Sequence, residues 1–175
     1  GVSKGFKSGG FNYGTAGLEK FEPESIVATE VGVRSTLMGG ALSLNASAFN
    51  YDYTNLQLKT AVLSGSSFIS RVTNASKAKV QGLELSADMA LGAGFGGGLS
   101  AAYIDSELLN YVSPSTKRDL SGMPLPLTPK SSGSVWLDHK VAMAGGQLRS
   151  HIEYNYRSSV VFPLTLDQAN NKGEA

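Results

Sequence analysis

Apolar and polar side chains alternate over runs of about ten residues, and this alternation limits the possible folds more than any other feature. The clearest run covers residues 147–156, in which Leu148 and Ile152 share one parity while Arg149 and Glu153 share the other. A β-strand places the two sets on opposite faces, whereas a helix mixes them around its circumference. The run also has the ~9–11 residues that a tilted transmembrane strand requires. It therefore predicts a strand with one apolar face.

The same period of two recurs along the chain and predicts an all-β, antiparallel fold of about seven strands. The predicted strands are residues 1–6, 25–37, 41–48, 80–91, 97–105, 131–143 and 147–156. Phe49, Tyr51 and Tyr53 follow the strand at 41–48 in the opposite phase. We therefore expect a bulge or a change of environment at that point.

The connections between the predicted strands are alternately short and long. The short ones are residues 38–40, 92–96 and 144–146, and the long ones are residues 7–24, 59–73, 106–129 and 158 onward. Outer-membrane β-barrels have this asymmetry, with tight periplasmic turns and long extracellular loops. Tyr103, Tyr111, Tyr154 and Tyr156 fall where strands meet the long loops, as in an outer aromatic girdle, although tyrosine is also simply common in strands.

Composition excludes several other classes of protein. Apolar stretches are shorter than the ~18 residues of a membrane helix, and the formal charge of +1 argues against a nucleic-acid partner. The chain has no cysteine, which removes disulfides and thiol chemistry. No Ser-His-Asp arrangement, carboxylate pair or metal-ligand spacing stands out, so neither an enzyme nor a resident cofactor is expected.

A transmembrane sheet has to close on itself, because hydrocarbon offers no hydrogen-bond partners to a free edge. Bacterial single-chain barrels contain at least eight strands, so seven do not complete a wall. Both ends of the chain also read as cut, with no signal peptide at Gly1 and loop-like residues at 170–175. We therefore expect further strands from outside this chain.

Several segments resemble, in order, the barrel of TonB-dependent outer-membrane receptors. They are the stretches GFKSGGFN (5–12), FEPE (21–24) with TEVGVRS (29–35), LNASAFNYDYTNLQ (44–57), NASKA (74–78) with GLEL (82–85), and GMPLPLTP (122–129). Each motif alone is weak, whereas their common order is specific. The resemblance covers most of the chain up to about residue 157.

This resemblance implies a bacterial outer-membrane protein for energy-coupled uptake of a scarce ligand, often a ferric siderophore. Residues 1–175 would then be part of the barrel domain, without the plug domain, the final strands or the N-terminal box that contacts the TonB complex. The implied partners are outer-membrane lipid, the plug of the same parent chain, the TonB complex and a siderophore-type ligand. A passive porin-like barrel and a soluble β-sandwich binding module remain the alternatives.

Two groups of residues are candidates for ligand binding. The first is Arg149, His151 and Arg157, which share a charged row with Glu153; other strands carry Glu30, Arg34, Glu84 and Asp88 in corresponding rows. This row is expected inside the barrel, because a lipid-facing Arg or Lys costs roughly 2–4 kcal/mol at the midplane. It either contacts the plug and solvent or binds the ligand in passage.

The second group is Lys7, Phe11 and Tyr13, in the first long loop. A cation with aromatic rings and flexible glycines suits an anionic, aromatic ligand of the catecholate type. The same glycines are equally expected in a loop whose role is structural.

Overall fold

The computed structural model describes residues 1–13, 19–64, 67–113 and 117–162, and these residues form nine strands. The strands are β1 (Val2–Lys7), β2 (Gly10–Asn12), β3 (Glu19–Phe21), β4 (Glu24–Leu37), β5 (Leu42–Ser64), β6 (Ser67–Gly92), β7 (Phe95–Asn110), β8 (Ser131–Met143) and β9 (Gly146–Arg157). Within the same residues, none of the helical segments has the length and apolar character needed to cross a membrane.

Seven strands form one antiparallel sheet in the order β1-β4-β5-β6-β7-β8-β9. The predicted all-β, seven-stranded sheet is therefore confirmed. Strands β2 and β3 pair with each other in a separate small sheet. Among the described residues the large sheet is open, with β1 and β9 each paired on one side only.

Short connections join the strands at one end of the large sheet. A 3₁₀ turn, Met38–Gly40, links β4 to β5, and two-residue turns link β6 to β7 and β8 to β9. Ala93 and Gly94 both have positive φ, at 50° and 79°, as a type I′ hairpin turn requires. These short turns confirm three predicted connections.

The apolar side chains of neighbouring strands lie side by side on one face of the sheet. In one row across four strands, Val31 pairs with Ala48, Ala48 with Leu83, and Leu83 with Tyr103. These side chains are not covered by other parts of the described chain; Val31 is 70% exposed. A continuous apolar face of this extent is typical of a surface that contacts lipid.

The buried hydrophobic residues lie at the opposite end of the sheet from the short turns. They form one cluster, Leu56, Leu58, Ala75, Ala78, Leu108, Tyr111 and Leu120, against which Tyr53, Met123, Leu125 and Val161 pack. We call this group the outer cluster, since the short turns define the periplasmic end.

The prediction of a long loop at residues 59–73 is wrong. Strands β5 and β6 continue as a paired hairpin to Ser64 and from Ser67, with Gln57 opposite Asn74. Segments that contact the two faces of this outer hairpin support it: the outer cluster lies on the Leu56 face, and residues before β4 lie on the Gln57 face. The local sequence of 59–73 gave no sign of this support, because it comes from segments distant in the chain.

No bulge occurs at Phe49, because the β5–β6 register is continuous from Leu42 to Thr54. The irregularity lies later, at Asn55, which has a φ of 55° and no pairing partner. Before Asn55, the odd-numbered residues of β5, such as Phe49 and Tyr53, lie on the polar face. After Asn55, the even-numbered Leu56 lies in the same buried cluster against which Tyr53 packs. A residue in the left-handed region interrupts the alternation of faces.

Tyr111 does not belong to an outer aromatic girdle. It is buried in the outer cluster, where its hydroxyl lies 3.2 Å from that of Thr73. The reason is that β7 continues to Asn110, later than the predicted strand end, and the chain then folds back so that Leu120 N donates a backbone hydrogen bond to Tyr111 O. The other three tyrosines, Tyr103, Tyr154 and Tyr156, are exposed on the apolar face.

Candidate binding surfaces on the lumen face and at the outer rim

The face opposite the apolar rows is concave and polar. It forms a groove of about 1060 Å³ whose lining includes Arg34, Asn45, Ser86, Ser100, Ser134 and Arg157. Small hydroxyl side chains occupy its centre, where the Oγ atoms of Ser100 on β7 and Ser134 on β8 lie 2.8 Å apart. Because lipid contacts the other face, this is the side that faces the lumen of a barrel. We call it the lumen face.

Acidic and aromatic side chains share the β4–β6 part of the lumen face. The Tyr51 hydroxyl donates a hydrogen bond to Glu30, and Phe49 stacks on Tyr51 with ring centroids 4.8 Å apart. Gly82 makes room for this stack, since a Cβ there would lie 2.6 Å from the Phe49 ring. Glu84 lies two residues after Gly82 on β6, on the same face of the sheet. Within the described residues, neither Glu30 nor Glu84 forms an ion pair.

Arg34 follows Glu30 closely in sequence, but neutral groups hold its side chain. Its Nε donates to Asn45 Oδ1 at 2.8 Å, and Asn45 Nδ2 donates to Ser86 Oγ at 3.1 Å. This chain of hydrogen bonds crosses β4, β5 and β6 and orients the guanidinium without neutralising it. The carboxylates of this half of the lumen face therefore outnumber its cations.

A histidine between two carboxylates occupies the middle of the β8–β9 part. His151 Nδ1 lies 3.0 Å from Asp138 Oδ1, and its Nε2 lies 3.5 Å from Glu153 Oε2. The carboxylates lie at opposite ring nitrogens, so they do not converge on a common point. In the described part of the chain, no group of His, Asp and Glu side chains is arranged to hold a metal ion.

Trp136 forms one wall of a smaller hollow of about 460 Å³ around this histidine. The indole lies over Gly98, where a Cβ would come within 2.3 Å of the ring. The absence of a side chain at Gly98 therefore leaves the space that the Trp136 indole occupies. Arg149 and Glu153 line the same hollow.

The structure places Arg149, His151 and Arg157 on the lumen face of β9, as the alternation predicts. Arg149 lies directly opposite Lys140, and Arg157 lies opposite Ser132. Among the described residues, Arg149 and Arg157 form no ion pair, whereas His151 contacts both nearby acids. Whether these residues contact a ligand stays a prediction.

Lys7 lies at the outer end of the edge strand β1, whereas Phe11 in β2 and Tyr13 just after it lie on the outer rim. Lys7 ends β1 opposite Glu24, while Phe11 and Tyr13 are 51% and 83% exposed. The structure thus does not bring them together with Arg149, His151 and Arg157, because β1 and β9 are the two edge strands. Their contact with a ligand also stays a prediction.

Asn12, between the two exposed aromatics, is buried and fixes this segment to the outer hairpin. Its Nδ2 donates to Val72 O and its Oδ1 accepts from Val72 N, both at 2.8 Å. The side-chain amide thereby satisfies both backbone groups of one residue of β6. Asn12 consequently holds Phe11 and Tyr13 at the surface of the outer rim.

Two further side chains that sequence reasoning missed join the rim segments. Gln57 donates to Ser8 O at 2.9 Å, and Asn74 donates to Glu22 O at 3.0 Å and to Asn55 O at 2.7 Å. The sequence signal was present, because each of these residues lies within or directly beside a segment quoted above for its family resemblance. Those segments, separated in sequence, are joined in space by hydrogen bonds.

The two adjacent glycines of the GFKSGGFN segment, Gly9 and Gly10, have a packing role. A Cβ on Gly9 would lie 2.5 Å from Phe21 O, and a Cβ on Gly10 would lie 2.8 Å from the Phe21 ring. These glycines permit close approach of β3, which favours the structural interpretation of the loop.

An antiparallel sheet with a lipid-type apolar face and a polar, concave inner face defines a wall of a transmembrane β-barrel. The chain belongs to the family described as TonB dependent receptor-like, beta-barrel, which matches residues 1–173. Members of this family lie in the bacterial outer membrane, and the family is one of transport receptors rather than enzymes.

Solved structures of three receptors share the fold. The ferric yersiniabactin uptake receptor FyuA from Yersinia pestis is 23% identical with a TM-score of 0.71, over 92% of this chain and 23% of that chain. BauA, the ferric preacinetobactin receptor from Acinetobacter baumannii, is 19% identical with a TM-score of 0.63, over 91% and 23%. The siderophore receptor PiuA from Acinetobacter baumannii is 23% identical with a TM-score of 0.60, over 80% and 19%. This chain thus spans about a quarter or less of these receptors.

Proposed function

We propose that this chain is part of the wall of an outer-membrane receptor for energy-coupled uptake of a ferric siderophore or a similar iron complex. The family assignment supports receptor function, and the three receptors of similar fold are described as siderophore receptors or ferric siderophore uptake receptors. Further strands of the parent chain close the barrel, and another domain of that chain, the plug, fills its lumen. The TonB complex supplies the energy through that domain.

One observation favours a filled lumen over a passive porin. On the β4–β6 part of the lumen face, Glu30 and Glu84 are exposed and lack an ion pair within the described residues, although the Phe49–Tyr51 stack packs beside them. Carboxylates that a wall leaves exposed and without a counter-ion are complementary to cations on a partner. A plug domain that carries arginine or lysine at this level supplies them.

The apolar face argues against the soluble β-sandwich. A sandwich covers that face with a second sheet, at a spacing of about 10 Å. Here residues such as Ile152, 73% exposed, have no covering layer within the described residues. Lipid is the partner that fits.

Uptake measurements test the receptor proposal. After deletion of the parent gene, cells are expected to lose growth on a defined ferric siderophore as the sole iron source and to regain it on complementation. A protonophore is expected to abolish uptake of the radiolabelled iron complex. Uptake that continues at an unchanged rate with the protonophore indicates a passive porin and contradicts the proposal.

Paired variants test the filled lumen. Glu30→Gln with Glu84→Gln removes two lumen-face charges, and we expect reduced uptake with normal amounts of folded receptor in the membrane. Glu107→Gln, at the outer end of β7 on the other face, is the matched control and is expected to behave as wild type. Equal uptake by the double variant and the wild type contradicts a role for these acids in docking the plug.

A further inference from the structure

We propose that the outer hairpin is a hinged element of the barrel mouth, held toward the lumen by a latch that lies across its outward side. The hinge is at Asn55, and the latch consists of residues 8–12 and 19–23, between β1 and β4. Release of the latch lets the hairpin tilt outward and widens the mouth on this side. Such a device requires the barrel wall, but neither the plug nor a particular ligand.

The outer hairpin is attached to the large sheet through its own two strands. Pairing of β4 with β5 reaches outward as far as Thr54, and pairing of β6 with β7 reaches Lys77, which lies opposite Thr54. Beyond that level, no strand among the described residues pairs with either edge of the hairpin. An isolated two-stranded hairpin is marginally stable in water, so other contacts have to hold it.

A gap in the pairing of β5 with β6 lies at this same level. Asn55 has a φ of 55°, and Asn55 and Ser76 are skipped between two continuous runs of paired residues. Asparagine enters the left-handed region more readily than most other residues, so the backbone changes direction here at low cost. Lateral pairing and the β5–β6 ladder are thus interrupted together, and a few residues at the end of an element that absorb a backbone change are what forms a hinge.

Different parts of the chain hold the two faces of the hairpin. Just below the hinge, Tyr53 lies opposite Ala78 on the lumen face, and both contact or belong to the outer cluster. The outer cluster therefore lies on the lumen side. The latch contacts the other face, where Gln57 donates to Glu22 O at 3.2 Å and Glu22 N donates to Asn74 Oδ1 at 2.8 Å. The latch thus lies on the outward side.

The latch also reaches both edges of the hairpin. At the β5 edge, Gln57 N donates to Glu24 Oε2 at 2.8 Å, directly where the latch joins β4. At the β6 edge, the Asn12 side chain binds both backbone groups of Val72. These contacts take the place of the neighbouring strands that bond the same edges lower in the wall. An outward tilt of the hairpin has to break them.

Opening also separates the hairpin from the rest of the outer cluster. That remainder is tied to β7, since Leu108 N donates to Met123 O at 2.9 Å. An outward tilt therefore uncovers Leu56 and Leu58, which are buried in the closed form. The apolar contact makes the open form a minor state, and the latch lowers its population further.

Thiol labelling of the full parent receptor, with any other cysteines replaced, measures the opening. Ala75→Cys places a thiol in the outer cluster, where a water-soluble maleimide reaches it through the open form. Asn12→Ala with Gln57→Ala removes latch contacts at the β6 edge and on the outward face, and labelling is expected to be about tenfold faster or more. Lys20→Ala with Lys59→Ala changes one exposed residue of the latch and one of the hairpin and is expected to match wild type.

Spin-label distances identify the motion. Labels at Ser70 on the hairpin and Asp119 beside the outer cluster are both at exposed positions. Ser70 lies roughly 20 Å beyond the hinge, so a tilt of about 15° adds about 5 Å to a second, longer distance that we expect in the latch variant.

Equal labelling rates in the latch variant and the wild type overturn the latch. A distance distribution that broadens without a second, longer maximum indicates local unfolding and overturns the hinge. Where Ala75→Cys disturbs folding, Ala78→Cys, buried in the same cluster just below the hinge, gives the same two outcomes.

Discussion

The membrane-spanning wall and the outer cluster use the same apolar residue types in opposite ways. In the wall, leucine and valine point away from the protein, and Leu85 is 44% exposed between its neighbours Ala46 and Ala101. In the outer cluster, Leu108 is completely buried. The wall has lipid outside it, so its apolar side chains need no protein cover, whereas the outer cluster stands in water and has to build its own core.

The polar groups differ in the same way. In the wall they face the lumen, where Arg34, Asn45 and Ser86 form an open hydrogen-bonded chain. At the outer rim they join separate segments by hydrogen bonds, as the Asn12 side chain does with the backbone of Val72. The solvent next to each region therefore decides whether a polar side chain is a surface group or a structural contact.

The largest expected effect is on the core of the outer cluster. Leu108→Ala leaves a cavity and is expected to cost about 2–5 kcal/mol locally. Hydrogen–deuterium exchange should then show faster exchange at Leu58 and Leu120, with unchanged exchange at Leu85 in the wall. Leu109→Ala, at the partly exposed neighbour, is the control. Equal protection in the Leu108 and Leu109 variants contradicts a water-excluding core at the rim.

A charge on the apolar face tests the wall itself. Leu85→Arg is expected to destabilise the folded receptor in lipid by about 2–4 kcal/mol, because the guanidinium enters the hydrocarbon. Urea unfolding in lipid vesicles measures the free energy. Ser86→Arg places the same charge one residue later on the lumen face and should cost much less. A reversed order of the two variants breaks the assignment of faces.

A smaller effect is expected for the hydrogen bonds between Asn12 and Val72 at the outer rim. Asn12→Ala removes both hydrogen bonds to Val72, and an unsatisfied backbone group costs about 1–3 kcal/mol where it stays away from water. Exchange of the Val72 amide should accelerate while the wall stays unchanged. Tyr13→Ala, at the highly exposed neighbour, is expected to leave this amide protected.

The smallest effect is expected for the buried hydroxyl pair of the outer cluster. Thr73→Val removes the contact with the Tyr111 hydroxyl and is expected to cost about 0.5–1.5 kcal/mol. A double-mutant cycle with Tyr111→Phe measures the coupling from exchange of the cluster amides. A coupling energy near zero shows that burial alone holds Tyr111 in place.

The wall was predictable from the sequence to a large extent. The predicted strands at 25–37, 131–143 and 147–156 agree closely with β4, β8 and β9, and the three short turns lie where predicted. The reason is that lipid outside and a polar lumen inside impose a period of two on each strand separately. The lumen-face position of Arg149, His151 and Arg157 followed from that period.

The outer region was predicted poorly, because its residues obey no such local rule. The outer hairpin through Ser64 and Ser67, the phase change at Asn55 and the burial of Tyr111 all depend on contacts with distant segments. The meeting of Gln57 with Ser8 and of Asn74 with Glu22 likewise joins residues that lie far apart in sequence.

The sequence by itself therefore determined the class of this protein, the number of strands in its sheet, and which face of each strand meets lipid. Tertiary structure alone decided which charged and polar side chains meet across strands: His151 of β9 lies 3.0 Å from Asp138 of β8, while Arg149 lies opposite Lys140. The physical reason is that alternation is a property of one strand, whereas charge pairing depends on the register between strands, and alternation leaves that register open.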